Sequence, residues 1–85
     1  MIKVQWSQAA NDDLQNNADS LFLVDFDLAD QLLTASDRAS DFLALTPHAG
    51  SLVDATGLRK WRLGQLPFAL LDSLNAERLV VLRVL

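Results

Sequence analysis

The sequence contains no cysteine, and that absence removes two classes of chemistry at once. No disulfide framework can staple the chain, and no thiolate is available to hold a metal. A single histidine, His48, cannot build a zinc centre by itself. Only three glycines and two prolines punctuate the 85 residues. With 51% of residues hydrophobic, that scarcity favours a folded globule over disorder. No apolar run approaches the roughly 20 residues that a membrane span needs. The opening MIKVQWSQAANDDL turns polar too early for a secretory signal. These absences predict a cytoplasmic protein with no cofactor, no metal site and no membrane association.

What is present is short and apolar. The 85 residues make a single domain, 1–85, with an expected radius of gyration of roughly 12 Å. A chain of this size buries only about 60–65% of its unfolded surface, so its stability margin is thin. An apolar chain of that kind is expected to lean on a partner surface. The net charge is −4, whereas a domain built to grip phosphate backbones carries an excess of Lys and Arg. Direct nucleic-acid binding is therefore not expected. The charge is also uneven: acids crowd between Asp12 and Asp54, while Arg59, Lys60, Arg62 and Arg78 fall in the last third.

Periodicity divides the chain. In IKVQW, Ile2, Val4 and Trp6 alternate with polar residues and predict a short strand. Ser7 stands where an N-cap is wanted, and Ala10, Leu14, Ala18, Leu21 and Phe22 then recur at helical spacing, predicting a helix over 8–22. Asp25 or Asp27 can cap a second helix carrying Leu28, Leu32, Ala35, Ala39 and Phe42. That helix should end near Leu45, because Thr46 precedes Pro47 and is biased away from helical geometry. Joined by so few residues, the helices must fold back as an antiparallel hairpin. TPHAGSLVDATG then reads as a long loop, followed by strands over 58–63, 66–73 and 78–85 in an antiparallel meander. RLVVLRVL is apolar on both faces and should be interior to the sheet, with the N-terminal strand available as its second neighbour. The fold class is α+β: an N-terminal strand and an antiparallel two-helix hairpin packed on a C-terminal antiparallel sheet.

One stretch could carry a function, GLRKWRLGQLPFALLD, over 57–72. Strand alternation sends Lys60 and Arg62 one way and Arg59, Trp61 and Leu63 the other. Arg59, Lys60 and Arg62 are the only dense cationic cluster and are the candidate partner-binding residues. The same residues would equally serve as the solvated face of an edge strand, where Lys and Arg discourage sheet-to-sheet aggregation. Trp61 reads as core. His48 reads as a surface loop residue, Ser7 as a cap, and Ser51 lies in no nucleophile-elbow sequence. The paired acids of the helices have neither calcium-loop spacing nor a glycine turn. No acid–base pair for catalysis assembles.

In order along the chain, VQWSQAANDDL, the two helices, GLRKWRL, LPFALL and VLRVL resemble the RelE/ParE superfamily of bacterial toxins, over nearly the whole length. Trp6-Ser7, Gly57-Leu58-Arg59 and Pro67-Phe68 stand at the positions that carry the resemblance. It implies a toxin of a type II toxin–antitoxin pair, bound by a cognate antitoxin as a hetero-oligomer or forming a homodimer. In the RelE branch the toxin cleaves messenger RNA on the ribosome; in the ParE branch it poisons DNA gyrase. Departures favour the second branch. The sheet position of a RelE-like catalytic arginine falls on Ala69, the tyrosine–arginine pair on Asp72-Ser73, and the Gly-Arg after the proline loop on Gly50-Ser51. The chain also stops at Leu85, before the cationic C-terminus of relatives. Losing one positioned cation typically costs about a hundred- to a thousand-fold in rate. The resemblance thus implies a ParE-like, non-catalytic gyrase inhibitor. A RelE-like ribonuclease and an inactive, shortened antitoxin-binding module are the alternatives.

Overall fold

Alternation in Lys3–Trp6 produces the first strand, β1, with Val4 and Trp6 turned to the core and Lys3 and Gln5 to solvent. The chain is described over all of residues 1–85 by a computed structural model. Ser7 ends the strand and starts helix α1 (Gln8–Phe22), its Oγ accepting the Ala10 amide at 3.0 Å. Asp25 repeats the device for α2 (Phe26–Leu45), accepting the Leu28 amide at 3.0 Å. Thr46 leaves helical geometry (φ −132°, ψ 68°) ahead of Pro47, as the sequence predicts. Three residues, Leu23–Asp25, reverse the chain between the helices. Small side chains, Ala18 and Ala29 among them, are fully buried in the hairpin and let its helices approach closely.

The remaining strands are β2 (Ser51–Leu52), β3 (Leu58–Arg62), β4 (Ala69–Leu74) and β5 (Arg78–Val84). They form one five-stranded sheet in the order β1-β5-β4-β3-β2. β3, β4 and β5 are the expected antiparallel meander, and β5 lies inside the sheet, as its two apolar faces require. Its other neighbour is β1, which pairs with it in parallel from Lys3↔Arg78 to Trp6↔Val81. Two details depart from expectation. β2 lies within the long loop, where two residues carry no period to detect, and it borders β3 at Ser51↔Lys60 and Leu52↔Arg59. β4 begins at Ala69 and not at Leu66, because 63–68 close a turn in which the Leu63 amide donates to the Phe68 carbonyl at 3.0 Å. Gly57, at φ +92°, supplies the left-handed turn into β3.

The helices cover one face of the sheet. Between the layers Leu32, Leu43, Leu70, Leu79 and Val81 are fully buried, and the Trp6 indole donates to Ser40 Oγ at 2.8 Å. The radius of gyration is 12.6 Å. β5 is bulged: Leu71 pairs with Arg83 but Asp72 with Val81, leaving Leu82 extra. α1 absorbs the irregularity. Ser7 Oγ donates to the Leu82 carbonyl at 2.9 Å, and the Asp13 carboxylate accepts from the Val84 amide at 3.0 Å and from Arg83 at 2.7 and 2.9 Å.

Candidate interaction surfaces

The face of the sheet away from the helices is open, and β3 places Lys60 and Arg62 on it, exposed. Their register partners in β4 are Leu71 and Ala69. With Pro67, Phe68 and the terminal Leu85, the two cations line a shallow cleft of about 310 Å³. Half-buried Val80 and Leu82 of β5 continue the apolar floor. At the far edge lie Lys3, Gln5 and Arg78, where Arg78 donates to the Gln5 side chain at 3.1 Å. Asp72 is the only acid in any strand, and it points to the helix side, level with Val81. Six of the seven cations lie in strands, and eight of the eleven acids lie in the helical hairpin. The net charge of −4 therefore divides into an acidic layer and a cationic sheet. The uneven charge along the sequence anticipates that division; strand alternation then decides which cations reach the open face.

Arg59 lies on the helix side, as alternation predicts, apart from Lys60 and Arg62. Its guanidinium donates to the carbonyl of Gly50 at 3.0 Å and of His48 at 3.4 Å, tying the loop before β2 to β3. That approach is tight at Gly50: a Cβ there would stand 3.1 Å from the Arg59 Cβ and from the Lys60 carbonyl oxygen, so β3 would have to give by a few tenths of an ångström. His48 itself is exposed. Opposite Arg59 in register stands Asp72, fully buried, with neither carboxylate oxygen hydrogen-bonded. Burial pushes its carboxyl up to about 6, with the Arg59 charge acting in the other direction. Sequence reasoning did not single out this residue as a buried acid. Its signal was available, since Leu70, Asp72 and Leu74 alternate onto one face of an interior strand.

A second concavity, of about 620 Å³, runs between α2 and the β3–β4 turn. Phe42 stacks on Trp61 at a centroid distance of 5.1 Å and 23° between planes, so Trp61 is partly core and partly groove wall. Ala35, Ala39, Leu63 and Leu66 extend the apolar lining, and Asp30, Arg38 and Arg62 are charged positions around it. An apolar lining with charged groups about it is suited to an amphipathic peptide, whose spaced apolar anchors fill the trough while its polar side stays wet. Sequence reasoning assigned these residues to separate apolar stripes; only the packing of α2 over β3 brings them together.

No helix is long and apolar enough to cross a membrane. No protein-family model matches the chain, and no curated protein matches it significantly. Among solved structures, a chain described as belonging to the chromosomal ParDE TA (toxin–antitoxin) system from P. aeruginosa superposes with a TM-score of 0.73. The match covers 99% of this chain and 94% of that one at 19% sequence identity. The likeness is one of fold: two helices packed on a mixed sheet, in the same compass of chain.

Proposed function

We propose that the protein is the toxin of a type II toxin–antitoxin pair, ParE-like, which binds and inhibits DNA gyrase and is neutralised by a cognate antitoxin. The observation that carries this reading is the end-to-end fold correspondence with a chain of a ParDE system. Fold alone does not assign function, so the reading draws its specifics from the surfaces. The Phe42–Trp61 groove is offered as the antitoxin seat, because its size and apolar lining suit a helical or extended peptide. The open cationic face, through Lys60 and Arg62, is offered as the contact with the target. Arg59 contributes indirectly, by fixing the loop that borders β3. Around Lys60 and Arg62 stand Pro67, Phe68, Ala69 and Leu85, none of which offers a side chain able to accept or deliver a proton. That surrounding favours binding over phosphodiester cleavage.

The test is induction in cells with and without the co-encoded small protein, reading growth, DNA supercoiling and RNA integrity together. Growth arrest with lost supercoiling and intact RNA, relieved by the antitoxin, is the expected outcome. Codon-positioned cuts in messenger RNA would replace the reading with the ribosome-dependent nuclease. Normal growth after strong induction, with antitoxin binding preserved, would replace it with an inactive antitoxin-binding module.

A further inference from the structure

The turn between the helices is built against the usual economy of a soluble surface. Phe22, Leu23, Val24 and Phe26 are all exposed, Leu23 at 87%, Val24 at 81% and Phe26 at 66%. The Phe22 and Phe26 rings meet at 5.3 Å and 48°, forming one aromatic knob. Asp13 of α1 already contacts Val84, the last residue of β5. Leu14, Ala18 and Leu21 keep the rest of α1 packed on the core side, and the exposed turn follows them. None of Phe22, Leu23, Val24 and Phe26 is buried or packed against the core cluster. Asp19, Asp25, Asp27 and Asp30 all lie within four residues of it along the chain, and no Lys or Arg occurs between Lys3 and Arg38.

We propose that this acidic, apolar knob docks on the open sheet face of a second copy of the same chain. The two surfaces are complementary in both respects. The knob is apolar with an anionic rim; the sheet face has an apolar floor flanked by Lys60 and Arg62, with Lys3 and Arg78 at its far edge. The cleft beside Lys60 and Arg62, at about 310 Å³, is at the small end of ligand-pocket sizes and suits an inserted aromatic side chain. Knob-to-knob association sets four acids against four more and is disfavoured, as is an anionic membrane surface. The knob and the sheet face are different surfaces of one molecule, so the contact closes when two copies exchange knobs and otherwise grows as a chain. In either form every occupied face has Lys60 and Arg62 covered, and only the closed pair leaves no cationic face free.

Sedimentation velocity on the purified protein over a range of concentrations tests this without antitoxin or gyrase, and so independently of the toxin reading. Reversible self-association is expected. It should weaken markedly as salt shortens the screening length from about 10 Å near 0.1 M to about 3 Å near 1 M. Leu23→Ser with Phe26→Ser, and separately Lys60→Glu with Arg62→Glu, should each weaken it by about tenfold or more. These residues are exposed, and unchanged circular dichroism verifies that the variants fold. The decisive arm mixes two chains, Asp19→Lys/Asp27→Lys and Lys60→Glu/Arg62→Glu. The mixture should form a hetero-complex stronger than either variant's own association. A wild-type chain that stays monomeric at every concentration overturns the proposal, as does association that survives the knob variant or a mixture that does not associate. Knob-dependent binding of a monomeric chain to phosphatidylcholine vesicles would reassign the knob to lipid and equally overturn it.

Discussion

Asp72 is the residue at which this fold works against itself. A carboxylate with no hydrogen bond in a buried position carries a desolvation cost, and moving its pKa from 3.8 to about 6 corresponds to at most about 3 kcal/mol, reduced by solvent screening. The folded state holds this proton more tightly than the unfolded chain does. The ionised group therefore withdraws stability as pH rises from about 4 to about 6, and the loss is complete above that range. Urea unfolding should find the wild-type protein losing stability across this window, and Asp72→Asn should flatten that dependence. Asp72→Leu should raise stability near pH 7, since an apolar replacement leaves no buried charge to solvate. A wild-type curve without slope between these pH values would show that the carboxylate is solvated. Arg59 explains why sequence reading could reach the position but not its state. Register places the guanidinium opposite Asp72, yet it bonds to loop carbonyls, and that choice depends on residues far from both strands.

Among elements, the junction of β1, α1 and β5 joins parts remote in sequence. Ser7 serves a strand and a helix with one hydroxyl: it accepts from Ala10 and donates to Leu82 at the bulge. Ser7→Ala should cost about 1–2 kcal/mol in chemical denaturation, with faster amide exchange in the first turn of α1. Asp13 holds the other end of the bulge. Its hydrogen bonds to Arg83 and to the Val84 amide lower its pKa, so its contribution is present above the ordinary carboxylate range and lost as pH falls through the lowered value. Asp13→Ala should lower the melting temperature more than Arg83→Ala, because only the former leaves the Val84 amide without its acceptor. Helices and caps were legible in the sequence because their signals are local: α1 spans 8–22 as its apolar spacing predicts. The bulge at Leu82 and the two-residue β2 were not, since each exists only through a neighbour across the sheet. The candidate cations were legible as side chains sorted by alternation, whereas the cleft beneath them required Phe68 and Leu85 to arrive from elsewhere.

For the molecule as a whole, the separation of charge is the dominant electrostatic fact. Eight acids and a single cation share the helical hairpin, so like-charge repulsion opposes its compact state. Added salt screens that repulsion, and the melting temperature should rise with ionic strength at neutral pH by several degrees, a change of about 1 kcal/mol at this chain length. A melting temperature that falls with salt would mean that attraction between the layers, not repulsion within one, governs stability. The parallel pairing of β1 with β5 has a consequence of another kind. Residues 3–6 leave the ribosome before any other strand of the sheet, yet their only strand partner is 78–84, the last one. A nascent chain cannot complete this sheet until residues 78–84 have emerged. Whatever the finished surface does, it begins only after the last strand of the sheet has emerged, and a ribosome stalled before that strand displays helices without the face they were made to carry.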